Sequence, residues 1–251
     1  MKKEFIIAGN WKMNKTVEES IDFIKELDGK IEANERVRIL IFPPFTSIYS
    51  ISNLSDKIKI GSQNIFYEDK GAYTGEISHL MLKNLVDYVL IGHSERREIF
   101  KELDSDLNKK IKTALRHKFN PVLCIGETLE QRKRGETLKR IKKQIDEDLK
   151  GLKAQEIKSI IFAYEPIWAI GTGETASPAQ AQEVHGFIRK LLEGKVENPE
   201  DIFILYGGSV KPENSFDLLS QKDINGALIG GASLKVDSFS AIIETSYKIA
   251  K

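Results

Sequence analysis

The 251-residue chain lacks several features that mark specialised classes of protein. It has one cysteine, Cys124, so no disulfide can form within it, and we expect it in a reducing compartment, the cytoplasm. Lys and Arg total 38 against 37 for Asp and Glu, and this balance favours neither nucleic acid nor a membrane as a partner. No apolar run is long enough to cross a bilayer, and the run Phe5–Ala8 is too short for a signal peptide.

Motifs for metal or cofactor binding are also missing from the sequence. No spacing of His, Cys and acidic residues resembles a metal site, so we expect no metal. His79, His117 and His185 fall within helical or loop segments and are assigned no role. A small anionic substrate is compatible with the balanced charge, because it needs only local positive potential.

One stretch of the chain, residues 160–173, combines a strand with an unusual ending. An apolar run of strand length ends in a single carboxylate, Glu165, and Pro166 stops the strand. A short apolar segment follows and is closed by Gly171 and Gly173. This pattern fits two interpretations: a strand with an ordinary turn, or a catalytic base beneath a hinged lid.

Strand-length apolar runs occur eight times in the chain, with a spacing close to thirty residues. The predicted strands are Phe5–Ala8, Val37–Phe42, Ile58–Ser62, Val86–Ile91, Pro121–Ile125, Ile157–Tyr164, Ile202–Tyr206 and Ala227–Ile229. Continuous apolar runs are typical of parallel strands covered on both faces. Their alternation with helical patterns predicts an α/β protein, a (β/α)8 barrel in a single domain over residues 1–251. The alternative is a doubly wound open sheet, but Gly9-Asn10-Trp11-Lys12 is not the glycine-rich dinucleotide turn expected after its first strand.

The carboxyl ends of the strands should meet on one face of such a barrel. The polar residues at these ends are Asn10, Lys12, His93, Glu95, Glu127, Glu165 and Ser209. Two glycine pairs, at 207–208 and 230–231, follow the seventh and eighth strands, where barrels often bind phosphate. Glycines allow close approach to backbone N–H groups, and these groups hold anions.

These residues favour proton abstraction next to a carbonyl on a small phosphorylated substrate, through an enediol. Glu165 is the candidate base. An apolar lid close to its carboxylate would exclude water and make the carboxylate a stronger base. His93 would polarise the carbonyl by donating a hydrogen bond, and Asn10 could add another. Taken singly, Lys12 could be a solvated lysine and His93 a structural histidine, while Glu95 and Arg97 could form an ion pair or a solvated helix start.

Two other functions remain open. A Schiff-base aldolase on the same barrel would use Lys12 as its nucleophile. A catalytically silent barrel would only bind phosphorylated metabolites or a protein partner.

Five segments of the chain resemble the triosephosphate isomerase family, and the resemblance extends over essentially the whole length. They are Gly9-Asn10-Trp11-Lys12-Met13-Asn14, Ile91-Gly92-His93-Ser94-Glu95-Arg96-Arg97, Ala163–Gly173, Tyr206-Gly207-Gly208-Ser209-Val210 and Gly226–Leu234. The resemblance implies interconversion of dihydroxyacetone phosphate and D-glyceraldehyde 3-phosphate, a step of glycolysis and gluconeogenesis, without a cofactor.

The resemblance also implies the roles of individual residues. Glu165 would shuttle the proton and a neutral His93 would act as the electrophile. The residues implied to contact the substrate are Asn10, Trp11 and Lys12, and those implied to hold the phosphate through backbone groups are Gly171, Ser209, Gly230 and Gly231. The family is usually a homodimer in which the loop Gln63–Ser78 reaches into the neighbouring subunit, with Thr74 near its tip.

Four positions depart from the family's usual residues. Glu174 stands where lysine is common, at the far hinge of the implied lid, and Tyr73 replaces a phenylalanine in the dimer loop. Asn225 replaces an aspartate before the eighth strand, and Leu103 replaces a small hydroxyl residue. None of these positions carries a proposed catalytic group.

Overall fold

The computed structural model describes residues 3–170 and 175–251, and it contains a closed barrel of eight parallel strands. The strands are β1 Phe5–Asn10, β2 Val37–Phe42, β3 Ile58–Ser62, β4 Tyr88–Ile91, β5 Asn120–Ile125, β6 Ile161–Tyr164, β7 Ile204–Tyr206 and β8 Gly226–Ile229. Each strand pairs with the next in chain order, and β1 closes the barrel by pairing with β8. The predicted (β/α)8 barrel is confirmed.

Helices surround the barrel and connect its strands. They are α1 Val17–Lys30, α2 Phe45–Ile51, α3 His79–Leu82, α4 Ser94–Glu98, α5 Asp104–Arg116, α6 Leu129–Lys133, α7 Thr137–Asp148, α8 Ala154–Ile157, α9 Pro178–Glu193, α10 Pro212–Leu219 and α11 Val236–Ala250. Short 3-10 turns occupy Ile167–Ala169, Pro199–Asp201 and Gly231–Leu234. Capping boxes at Thr16 and Ser177 start α1 and α9. Among the described residues, no helix has both the length and the apolarity needed to cross a membrane.

The core has two layers because successive strand residues point to opposite faces of the sheet. One set fills the inside of the barrel: Ile6, Ala8, Leu40, Phe42, Tyr88, Leu90, Val122, Cys124, Ile161, Ala163, Leu205 and Leu228. The other set, which includes Phe5 and Ile7, packs between the strands and the helices. Apolar side chains therefore cover both faces of the sheet, and this explains the continuous apolar runs in the sequence.

Six of the eight strands have boundaries that differ from the sequence-based predictions, by one residue in β5 and β8 and by two or more in β1, β4, β6 and β7. β6 begins at Ile161, because Ile157 ends the short helix α8. β4 begins at Tyr88, because the Val86 N–H bonds back to the Leu82 carbonyl. β1 continues two residues past Ala8, through the backbone pairing of Gly9 and Asn10 with β2. This longer β1 carries the Asn10 side chain to the mouth of the barrel.

Candidate active site

A cavity of about 610 Å³ opens at the carboxyl ends of the strands. Seven of the predicted site residues line it: Asn10, Lys12, His93, Glu165, Ser209, Gly230 and Gly231. Trp11 is not among its lining residues, and Gly171 and Glu174 lie outside the described residues. The barrel therefore brings together side chains that are up to about two hundred positions apart in the sequence.

The segment after β1 holds Lys12 in a strained but well-supported conformation. Lys12 has a φ of +52°, an uncommon value for a residue with a side chain. Its N–H donates to Asn10 Oδ1 at 3.1 Å, and its carbonyl accepts from Gln63 Nε2 at 2.8 Å. Its ammonium donates to Glu95 Oε1 at 2.6 Å. These bonds place a positive charge at the cavity wall, and strain of this kind concentrates at functional sites.

Trp11 anchors this segment from behind the cavity. Its side chain is fully buried, and its indole N–H donates to the Ser233 carbonyl at 3.1 Å. Its ring packs edge-on against Phe23, with centroids 5.0 Å apart. The side chain thus ties the end of β1 to the 3-10 turn that contains Gly231.

His93 and Glu165 meet directly, with Nε2 of the imidazole 3.0 Å from Oε1 of the carboxylate. His93 Nδ1 accepts the backbone N–H of Glu95 at 3.3 Å, so we assign the ring proton to Nε2, where it is donated to Glu165. The other carboxylate oxygen accepts the Ser94 N–H at 2.8 Å. Both side chains are almost completely buried, so this hydrogen-bonded pair is shielded from bulk water.

The two glycine pairs serve different physical needs. A Cβ at Gly207 would lie 2.9 Å from Glu165 Cγ, and one at Gly208 would lie 2.3 Å from the Tyr206 hydroxyl. These two glycines make room for other parts of the protein. Among the described residues, a Cβ at Gly231 would meet nothing within 4 Å, and one at Gly230 would meet only the Lys12 side chain, at 3.6 Å. Space for an anion is therefore found at the second pair.

The cavity wall also carries positive charge. Lys211 and Lys235 line the cavity together with Lys12. Glu213 is a further acidic residue on the wall. Lysines together with open backbone glycines favour a phosphate-sized anion in this cavity.

Glu127 lies behind the segment that follows β6, and it is not among the cavity-lining residues. Its Oε1 accepts from the Tyr164 hydroxyl at 3.1 Å, from Trp168 Nε1 at 3.0 Å and from Arg132 at 3.2 Å. Burial, and then the charge of Glu127, raise the pKa of Tyr164 above its usual range. The carboxylate thus fixes the 3-10 turn Ile167–Ala169, where the proposed lid begins.

Of the two interpretations of Glu95 and Arg97, the ion pair between them is not formed, because the two side chains have other partners. Glu95 pairs with Lys12, whereas Arg97 binds Asp104 and lies 2.7 Å from the fully buried Asp148. Arg97 also donates to the carbonyls of Gly92 and Cys124. On the short helix α4 the two residues are only two positions apart, and such residues do not face each other.

Comparison with known proteins adds to this geometry. The family model described as Triosephosphate isomerase matches residues 5–246. The triosephosphate isomerase of Alkaliphilus metalliredigens is 51% identical over 95% of this chain and 98% of its own length. Those of Endomicrobium trichonymphae and Moorella thermoacetica are 48% and 50% identical, over 96% and 95% of this chain and 98% and 97% of their own lengths.

Proposed function

Since the chain belongs to the triosephosphate isomerase family and interconverts dihydroxyacetone phosphate and D-glyceraldehyde 3-phosphate, we propose that Glu165 and His93 carry out the proton transfers. The observation that carries the assignment is their direct contact at 3.0 Å inside the cavity. Glu165 would take a proton from the carbon next to the carbonyl and return it to the neighbouring carbon. His93 would donate its Nε2 proton in a hydrogen bond to the carbonyl oxygen.

The hydrogen bonds of Glu165 and His93 link the two roles. Glu165 Oε1 accepts the His93 Nε2–H, which is also the group needed by the substrate carbonyl. A bound carbonyl would take over this hydrogen bond and thereby release one oxygen of the base. Buried acid–base groups of this kind typically contribute ~10²–10⁴ in rate.

Binding of the substrate would use both ends of the cavity. We assign contacts with the reacting oxygens to Lys12 and Asn10, since Lys12 carries the charge that would stabilise an enediolate. The phosphate would lie against Ser209, Gly230 and Gly231, where the wall is open to an anion. For Trp11 we propose an indirect role, because its side chain is buried behind the cavity. Gly171, the remaining predicted phosphate contact, lies outside the described residues.

The assignment of the base is tested by Glu165→Gln, which keeps the size of the side chain and removes its basicity. We expect solvent-deuterium exchange into dihydroxyacetone phosphate to fall by ~10²–10⁴, the usual contribution of a positioned acid–base group. Glu213→Gln, on the wall of the same cavity, is the matched control and should keep most of the exchange. Unchanged exchange in Glu165→Gln would refute the role.

The aldolase alternative makes a different prediction. A Schiff-base enzyme would give a borohydride-trapped substrate adduct on Lys12. In the structure the Lys12 ammonium donates to Glu95 at 2.6 Å, so an amine nucleophile would first have to leave that pair. We therefore expect no adduct, and measurable isomerase turnover also excludes a barrel that only binds metabolites.

We also propose that the chain acts as a homodimer through the loop Gln63–Ser78. Exposed large apolar side chains are concentrated in the segments that follow β1, β2, β3 and β4: Met13, Tyr49, Tyr73, Leu80, Met81, Ile99, Phe100 and Leu103. These four strands are neighbours in the barrel, so the segments that carry the exposed side chains are also neighbours around it. Exposed apolar side chains in neighbouring segments favour an interface. Tyr73, whose ring packs 4.6 Å from that of Phe66, is the member of this set that lies in the loop.

Two further expectations stay proposals. We propose that residues 1–251 form one domain, because the sheet takes strands from residue 5 to residue 229 and α11 packs back against β1 and β2. We also propose the cytoplasm as the working compartment, where a reducing environment would keep the buried Cys124 as a free thiol.

A further inference from the structure

We propose that Asp69, His79 and His117 form a zinc-binding site, remote from the isomerase cavity. The three residues come from the loop after β3, the start of α3 and the end of α5. One ligand atom of each lies within 4.8 Å of those of the other two. Their sequence spacing gives no sign of this cluster, which explains why motif analysis predicts no metal.

His79 is the member that points most clearly to a ligand. Its side chain is about 5% exposed, and its Nδ1 has no hydrogen-bond partner within residues 3–170 and 175–251. The nearest carboxylate oxygen, Asp69 Oδ1, is 3.6 Å away, which is too far for a hydrogen bond. A buried nitrogen left unpaired is costly, and a metal ion would satisfy it.

Charges of both signs surround His79. Arg116 and Lys83 repel a cation, and Asp69 supplies the negative charge that offsets them.

The donor set selects among metals. Two imidazoles and one carboxylate suit zinc, with water as the fourth ligand of a tetrahedral site. Zinc–ligand distances of about 2.0–2.2 Å place tetrahedral ligand atoms roughly 3.3 Å apart, so the three groups, which lie within 4.8 Å of one another, have to come closer when they bind the ion. Calcium and magnesium prefer sites made only of oxygen.

One rearrangement is required for binding. The rings of His79 and His117 are stacked, with centroids 3.5 Å apart and planes 10° apart. A metal ion lies in the plane of each imidazole that binds it, so two parallel rings cannot share one ion. His117 has to turn out of the stack, and it can do so by side-chain rotation while its N–H stays bonded to the carbonyls of Thr113 and Leu115.

The test is a titration of the full, chelator-treated protein with zinc chloride in a calorimeter. We expect one zinc ion per chain, with affinity reduced at least tenfold in His117→Ala, Asp69→Asn and His79→Phe, since even loss of an outer-shell partner typically costs roughly 10–100-fold. His79→Phe keeps a stacked ring and removes both nitrogens, so it preserves the packing. Glu68→Gln removes the neighbouring charge without removing a ligand and should bind like the unmodified chain.

A second readout separates ligation from general charge effects. Cobalt(II) bound to the unmodified protein should give the intense visible absorption of a tetrahedral site, and the absorption should be lost in the three variants. Zinc should also raise the melting temperature of the unmodified protein and not that of His117→Ala, by mass action. No binding, binding retained in the three variants, or equal losses in Glu68→Gln and Asp69→Asn would each overturn the assignment.

Discussion

Gly207 is the position where the packing of the barrel most directly controls the proposed base. Its N–H donates to the Tyr164 carbonyl at 2.7 Å, and a Cβ built on it would lie 2.9 Å from Glu165 Cγ and 3.1 Å from that carbonyl. The substitution Gly207→Ala therefore adds one methyl group against the side chain of the base. Backbone strain plays no part, because Gly207 is not among the residues with positive φ.

The size of the effect follows from these distances. Carbon atoms pack at about 3.5–4.0 Å, so Glu165 would have to move by roughly 0.6–1.1 Å. Its carboxylate is held by hydrogen bonds of 3.0 Å to His93 and 2.8 Å to the Ser94 N–H, and such a shift would break at least one of them. Because a misplacement of about 1 Å can cost 10²-fold in rate, we expect kcat to fall ~10–100-fold. Overpacking should also lower the free energy of unfolding by about 1–3 kcal/mol.

A coupled isomerase assay at varied substrate concentration tests the first expectation. The change in KM should be smaller than the change in kcat, because Lys12 and the open glycine pair at 230–231 are untouched. Gly29→Ala, on helix α1, is the matched control, since its Cβ would meet nothing within 4 Å in the described part of the chain. That control should keep its kcat and gain up to about 1 kcal/mol of stability. A kcat of Gly207→Ala within twofold of the unmodified enzyme would refute the reasoning.

Two other predictions concern the buried ion pair and the dimer. Arg97→Met should lower the free energy of unfolding, measured in urea, by about 3–5 kcal/mol, because it leaves the fully buried Asp148 without its partner. The double variant Arg97→Met with Asp148→Leu should lose clearly less, and equal losses would contradict the argument. Tyr73→Glu should shift sedimentation from dimer towards monomer, since it places a charge in the proposed interface loop. Phe216→Glu, an equally drastic change on the exposed face of α10, should leave the association unchanged, and parallel behaviour of the two variants would argue against the loop.

Much of the fold could be predicted from the sequence because the barrel repeats one simple pattern. β2 and β3 have the predicted boundaries, since each is a continuous apolar run that ends at a clear break. The helix α2 was not predicted, because a seven-residue helix after Pro43-Pro44 carries too little periodicity to recognise. Whether a short element forms depends on its packing against the rest of the chain. The local sequence carries no information about that packing.

The candidate site, like the fold, could be predicted from the sequence only in part. The strand ends located His93 and Glu165, because parallel strands bring their carboxyl ends to one face. The sequence could not show that Glu127 turns away from the cavity towards Trp168 and Tyr164, since a strand end fixes the position of a residue and not the direction of its side chain. The sequence also could not show why Gly207 and Gly208 are glycines. A glycine that makes room for a ligand and one that makes room for other protein atoms look the same in a sequence.

Asn225 replaces the aspartate that is usual in the family. Its contacts show how a residue that serves stability can change without affecting the residues proposed for catalysis. Asn225 lies at the amino end of the strands, just before β8, and its Oδ1 accepts from Arg189 at 2.7 Å. The Arg189 guanidinium already has two acidic partners, because its Nε lies 2.8 Å from Asp223 Oδ1 and 3.5 Å from Glu200 Oε2. An aspartate at 225 would therefore add a third negative charge beside this one arginine. Residues at this end of a barrel serve stability, whereas Lys12, His93 and Glu165 lie at the opposite end. The asparagine thus preserves the buried hydrogen bond of Arg189 and leaves the geometry of the isomerase site unaffected.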